Sequence, residues 1–434
     1  MELIEQIARA GNLTNACAEV VSNKGSAGVD GMSVKKLKKH LDKNRNAITD
    51  QLLKGTYMPL PIRGKEIPKD KHKKRLLGIP SVIDRMLQQA FSRVLMARYE
   101  YRFSDKSYGF RPKRNTQQAV QRALEYINAG YQYIVDIDLK TFFDEVDHCL
   151  LLQLLYRRIK CRTTLKLIRR WLRAPIQING KLQKRRKGVP QGSPLSPLLS
   201  NILLHELDME MEQRGLRFIR YADDFSIYCQ TDKEARTIGN SVYLFLKNKL
   251  RLPINREKSG IRRPLTLSVL GHSFVSQYQK GSRGKYQLVV QSKRWERLKQ
   301  KLKEVTRKTS PMSFDERIQK LKEISRGWIN NFALTSIYQK IKDLDGWVRN
   351  RLRKCIWHDW KKSERKRKNL IRLGVDAEHA YAWSRTRKGS WAVAQSPIMK
   401  TTVTAERLKM KGYEPMVDYY LKVCPKYNSP LFGY

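Results

Sequence analysis

The spacing of apolar positions divides the chain into stretches of different character. Residues 1–55 read as short helices interrupted by the loop Lys24-Gly25-Ser26-Ala27-Gly28-Val29-Asp30-Gly31. Residues 56–80 carry prolines and the basic cluster KEIPKDKHKKRLLGIP, and read as an extended or hairpin segment. A mainly helical stretch, 81–130, is broken by Ser107-Tyr108-Gly109-Phe110-Arg111-Pro112. The β-branched and aromatic run YQYIVDI at 131–137 predicts a buried strand. Leu151, Leu154, Leu155 and Ile159 then recur at helical spacing. Residues 215–229 predict two strands around a tight turn, and Gly281-Ser282-Arg283-Gly284 separates two further short strands. After about residue 290 the pattern is helical. Ser313 and Glu316 form a capping box, in which each side chain satisfies the other's orphan backbone N–H. Ile341, Leu344, Val348, Leu352 and Cys355 make an apolar stripe, the run Lys361–Lys368 reads as a solvated boundary, and a short basic-aromatic module closes the chain from about 373.

At 434 residues the chain has room for roughly two to four domains, and 41% hydrophobic residues suffice for a sizeable core. No run of about 18 uncharged apolar residues is present, so no membrane span is expected. The start, MELIEQIARAGNL, is acidic and amphipathic, unlike a secretory signal. Charge changes the picture most. Lys and Arg number 88 against 40 acidic residues, a net charge of +48, which repels itself unless a polyanion is near. Membrane-surface binding would concentrate the charge on one amphipathic helix. Here it runs through the whole chain, which favours a long phosphate backbone. The six cysteines form no C-x-x-C pair and the histidines no H-x-x-x-H set. That argues against zinc and disulfides and fits a reduced, bacterial-type cytoplasm or nucleoid. Any metal is expected to be a hard ion on carboxylates. The glycines of 24–31 lack the Gly-Lys-Ser/Thr of a phosphate-binding P-loop, which leaves a tight turn.

Candidate chemistry centres on FIRYADDFSIYCQ, a hairpin with Asp223 and Asp224 at its tip. Adjacent carboxylates repel, and a divalent ion removes the conflict; a solvated acidic turn is the alternative. The second half of such a site is the acidic strand end Asp136-Ile137-Asp138, with Asp138 nearer the end. Two ions about 3.5–4 Å apart activate a primer 3′-hydroxyl and stabilise leaving pyrophosphate, which is nucleotidyl transfer.

Together YADD at 221–224, IDLKTFFD at 137–144 and QGSPLSP at 191–197 resemble reverse transcriptases, in the right order. RLLGIP with Asp84-Arg85, SYGFRP at 107–112, NREKSG around Lys258 and LGHSF around Gly271 resemble group II intron-encoded proteins. The resemblance implies an α+β right-hand polymerase with an antiparallel palm sheet. It sets an N-terminal extension and fingers over 1–130, palm over 131–289, an all-helical thumb (maturase domain X) over 290–372 and a small basic DNA-binding module over 373–434. It implies Asp138, Asp223 and Asp224 as ligands of two Mg²⁺ ions, with Mn²⁺ as a substitute. Phe143 would be the gate against a 2′-hydroxyl, with an ordinary core phenylalanine as the alternative. Lys69 and Arg75, with Arg63, would grip the incoming dNTP, Gln191 would lie near the nascent base pair, and Lys258 near primer or nucleotide. Lys24, Arg111, Lys113 and Arg114 would contact template or intron RNA.

By the same resemblance, the partners are group II intron RNA, an RNA template with a DNA primer, dNTPs and target DNA. The function is splicing assistance together with copying the intron into DNA during retrohoming. Many relatives end in a Cys/His-rich endonuclease, and none follows here, so the primer is expected to come from elsewhere, such as a nascent strand at a replication fork. Retron, diversity-generating and defence-associated enzymes share the palm, but they usually lack residues like 290–434. A splicing-only protein would have lost a carboxylate.

Overall fold

The computed structural model describes residues 2–70, 73–277 and 284–424, with side chains for all of these except 69, 70 and 73. The glycine turn expected at 281–284 thus lies, apart from Gly284, outside the described residues. The chain divides at Arg263/Pro264 into two compact units.

Eight described strands fall in the first unit: β1 (Ile62–Asp70), β2 (Lys73–Ile79), β3 (Tyr133–Ile137), β4 (Ile176–Ile178), β5 (Lys181–Gln183), β6 (Arg217–Tyr221), β7 (Asp224–Cys229) and β8 (Gly260–Arg262). They form two four-stranded sheets, ordered β2-β1-β4-β5 and β6-β7-β3-β8. The second sheet is antiparallel throughout, and β3 is central, pairing Ile137 with Phe225 and Asp136 with Gly260. Its strands are apolar because the helix Asp232–Asn248 packs on β3 and β7. Gly239 permits the close approach, since a Cβ there would meet Val135 at 3.3 Å. Phe218, Phe225, Ile227 and Tyr228 are buried, each worth about 1.5–3 kcal/mol relative to exposure. One hydrophobic cluster runs from Leu3 to Leu252, so the N-terminal helices share a core with the sheet.

The second unit begins with β9 (Ser268–Val269), β10 (His272–Ser276) and β11 (Tyr286–Val290), ordered β11-β10-β9. The apolar pattern placed the change of unit at 289/290, whereas these strands group with the following helices. The His272 ring, for example, lies 4.9 Å from Phe332. The Ser313 box is formed in both directions, and the stripe on helix Tyr338–Asp359 is buried. Lys361–Lys368, expected as a solvated boundary, is largely helix Ser363–Arg372. Leu370 anchors that helix, while its basic face stays outward. A second core extends from Val290 to Cys424. No described helix is long and apolar enough to cross a membrane.

Candidate active site

Strands β6 and β7 close through Ala222-Asp223, because Tyr221 pairs with Asp224. A two-residue hairpin of this kind needs a left-handed residue in its turn, and Ala222 supplies it at φ 59°. Ladder pairing sets Ile137 opposite Phe225, so Asp138, one residue beyond β3, emerges beside the hairpin tip. Its backbone N–H donates to Ser259 Oγ (3.0 Å), and its carboxylate accepts from Asn255 Nδ2 (3.0 Å) with Lys258 Nζ at 3.8 Å. Asp136 faces Arg262 Nε at 3.3 Å. That separates the two strand carboxylates: Asp136 is matched by its own guanidinium, while Asp138 joins the tip.

Desolvation by the surrounding protein pushes Asp224, though it is solvent-exposed, up to about 6, and repulsion from Asp223, Asp138 and Asp136 adds to it, with Lys258 opposing. Among the described residues no three ligand-type side chains are grouped tightly enough to hold a metal ion as they stand. Even so, the donors are hard oxygens, and the carboxylates of Asp223, Asp138 and Asp136 repel that of Asp224, a repulsion that a divalent cation relieves. The linkage has a definite sign. Asp224 binds its proton more tightly folded than unfolded, so this contribution is complete below its ordinary value of 3.8 and is lost as pH rises through about 6. In EDTA at pH 7.5, Asp224→Asn is therefore expected to raise the melting temperature by about 2–4 °C, a solvent-screened effect. The gain should vanish below about pH 4, where the aspartate is itself neutral; a lower melting temperature at pH 7.5 would contradict this assignment.

A cavity of about 540 Å³ has walls that include Arg75, Leu77, Phe110, Phe143 and Gln191; it adjoins the carboxylate turn through Phe110, whose neighbour Gly109 packs against Ala222. Phe143 is half-buried and stands edge-on to buried Phe142, with ring centroids 5.3 Å apart. Its carbonyl accepts from Val189 N (2.6 Å). Gly188, at φ 86°, lies so close that a Cβ would sit 2.9 Å from the Phe143 oxygen. His148 Nε2 donates to the Gly188 carbonyl at 2.7 Å, closing the brace. Gln191 is stacked on β2, its carbonyl accepting from Gly78 N (2.8 Å).

The remaining sequence-derived residues are dispersed. Arg63 is exposed and donates to the Ala27 carbonyl at 3.4 Å. Lys69 is on β1, its side chain outside the described part. Lys24 and Lys113 are exposed at left-handed φ, and Arg114 pairs with Asp105. Arg111 does not reach this surface. Its side chain is 3% exposed and donates to the carbonyls of Ser104 (2.5 Å) and Ser107 (2.7 Å) and to Glu100 (3.1 Å). It braces the SYGFRP loop from inside. Sequence reasoning missed Gln89 on the cavity wall and gave no role to Phe110 and Arg85, motif residues that also line it, and it missed Asn255 and Ser259 as the holders of Asp138.

Comparison with known proteins follows the same outline. The family model described as reverse transcriptase (RNA-dependent DNA polymerase) matches residues 67–274, and that of the group II intron maturase-specific domain matches 295–374. Protein YkfC of Escherichia coli (strain K12) is 31% identical over 289 residues, covering 57% of this chain and 76% of that protein. The chain belongs to the reverse transcriptases that carry a group II intron maturase domain. The group II intron-encoded protein LtrA of Lactococcus lactis subsp. cremoris is 31% identical over 316 residues, covering 56% of this chain and 51% of that protein. The reverse transcriptase therefore matches about half of LtrA's length. Nuclear intron maturase 1, mitochondrial, of Arabidopsis thaliana is 26% identical over 201 residues. The reverse transcriptase match spans the carboxylates, Phe143, Gln191 and most of the cavity wall, and the maturase match falls wholly in the second unit.

Proposed function

We propose that this reverse transcriptase extends a DNA primer on an RNA template using two divalent ions, and that it binds a group II intron RNA to assist its splicing and then copies it. One observation carries the reading: Asp138, Asp223 and Asp224 share one charged locus beside the cavity that Arg75, Phe143 and Gln191 line. In this reading the three aspartates would hold the ions. When bound, the ions lower the barrier to attack by the primer 3′-oxygen and offset charge on the departing pyrophosphate. Arg75 meets the triphosphate from the fingers side, with Lys69 and Arg63 in support. Phe143 lies under the sugar, Gln191 beside the nascent pair and Lys258 beside Asp138. As the primer 3′-hydroxyl gives its proton to solvent and its oxygen bonds to the α-phosphorus, the bond from that phosphorus to the α–β bridging oxygen breaks and pyrophosphate leaves.

The net charge of +48 supports RNA contact through many phosphates, with steep salt dependence. Within the second unit we assign residues 290–372 to a thumb and 373–434 to a basic DNA-contacting module. Lys24, Lys113 and Arg114 are assigned to template or intron RNA. The test is primer extension on an RNA template by the purified protein. Extension is expected with Mg²⁺, none in EDTA, and recovery when Mg²⁺ or Mn²⁺ is restored. Extension undiminished by EDTA, or none in any metal, would sink the reading.

A further inference from the structure

We propose that Arg220 is a positioning residue for the carboxylate pair. It sets the Ala222-Asp223 turn, and through that turn the metal affinity of the site, with Asp208 and Asn201 as its anchors. The proposal rests on the reading of Asp223 and Asp224 as metal ligands.

Arg220 lies in β6, immediately before the active-site turn, and is 0% exposed. A guanidinium cannot shed its charge, so burying it is costly unless its donors are met. Asp208, also 0% exposed, accepts from Nε at 2.7 Å and from Nη2 at 2.5 Å. The remaining terminal nitrogen is the informative one. Nη1 donates both to Asn201 Oδ1 (3.0 Å) and to the carbonyl of Ala222 (3.0 Å). That carbonyl belongs to the peptide that leads into Asp223. Asp208 and Asn201 both lie on the helix Ser196–Gln213, so this helix holds the turn through one planar cation.

The same network reaches the turn from a second side. Asn201 Nδ2 donates to the carbonyl of Gly109 (2.9 Å). Gly109 itself is pressed against the turn: a Cβ there would lie 2.2 Å from Ala222 N and 2.9 Å from the Tyr221 carbonyl carbon. The flanking chain is tied to β6, with Tyr108 N donating to Arg220 O (2.8 Å) and Arg220 N to Lys106 O (2.9 Å).

Stability alone is a poor reason for this arrangement. A buried ion pair is often matched or bettered by apolar side chains of similar volume. What apolar groups cannot do is hold a carbonyl of a strained turn. Ala222 is left-handed at φ 59°, a conformation that is unfavourable for a residue with a Cβ. Arg220 and Gly109 together make that conformation the retained one, and it fixes the direction in which Asp223 leaves the hairpin. Lysine would keep the charge opposite Asp208 but cannot span Asp208, Asn201 and Ala222 at once.

The decisive experiment compares Arg220→Lys, Asn201→Ala and Asp223→Ala with the wild type. Mn²⁺ binding is followed by electron paramagnetic resonance on the protein bound to an RNA template with a dideoxy-terminated DNA primer, so that no turnover occurs. Extension kinetics and thermal melting are measured alongside. Arg220→Lys is expected to weaken Mn²⁺ binding about 10- to 100-fold and to lower kcat by a similar factor. KM for dNTP should stay within about threefold, and high metal should restore part of the rate, which a merely structural defect would not show. A folded Arg220→Lys protein with wild-type Mn²⁺ affinity and kcat overturns the proposal. Should that variant fail to fold, Asn201→Ala decides, because it leaves the Arg220–Asp208 pair intact. It is expected to weaken Mn²⁺ binding about tenfold, and a folded variant with unchanged affinity overturns the proposal. Asp223→Ala isolates the underlying reading: if it keeps wild-type Mn²⁺ binding, the ligand assignment itself fails, whatever Arg220 does.

Discussion

Asp223→Ala is expected to lower the single-turnover rate of primer extension by about 10³- to 10⁴-fold while leaving affinity for the primer–template unchanged. The factor corresponds to about 4–5.5 kcal/mol of lost transition-state stabilisation, a fair share of what a metal-centred site supplies. Asp223 occupies the turn that β6 and β7 present beside Asp138, and no other carboxylate of the hairpin can replace it without unpairing Asp224 from Tyr221. Folding should not suffer, because the substitution removes a charge that helps to push Asp224 upward. A variant that melts no earlier than the wild type, binds primer–template normally and fails to extend would locate the defect in chemistry. More than about a tenth of wild-type rate would remove Asp223 from the ligand set. Asp224→Ala should behave alike, and Asp136→Ala far more mildly, since Arg262 already matches that carboxylate.

The second large effect concerns the sugar. Phe143→Ala is expected to reduce discrimination between dCTP and CTP by about 100-fold, measured as the ratio of kcat/KM values on one template. That is roughly the limit for rejecting a single added hydroxyl by shape. The ring stands on Phe142, and its backbone is clamped through Val189 and Gly188, so a 2′-hydroxyl would meet a surface that cannot retreat. Loss of the ring opens space without disturbing that clamp, and the dNTP rate should fall only a few-fold. An unchanged ratio would make Phe143 a floor of the cavity and nothing more.

Much of this site could be read in the chain because its signals are local. Alternating apolar residues around Ala222-Asp223 define a hairpin whatever lies nearby, and an apolar strand ending in Asp138 needs no partner to be noticed. The features that escaped depend on neighbours distant in sequence. Asp136 and Asp138 look equivalent until Arg262 and Asn255 arrive from more than a hundred positions away. The basic side chains are still harder to sort, since charge alone does not tell Arg75 on the cavity wall from Arg111, consumed within a loop. Arg220 did leave a trace. It shares a strand face with buried Phe218, where an alternating pattern calls for an apolar side chain, and a guanidinium in such a place demands a partner. That the partner is Asp208 on a preceding helix could not be inferred from spacing. The grouping of β9–β11 with the second unit was hidden for the same reason, as its cause is packing such as His272 on Phe332.

The continuous core from Leu3 to Leu252 also has a bearing on how the protein is made. On a ribosome adding about 5–20 residues per second, the first helices wait some 10–50 s for the last side chains of the core they share. The edge strand β8 and the residues that steady Asp138, Asn255 to Ser259, come later still. Catalytic competence is thus the final event in the synthesis of this unit, and a growing chain with a basic surface already exposed has time to meet RNA before it can copy any.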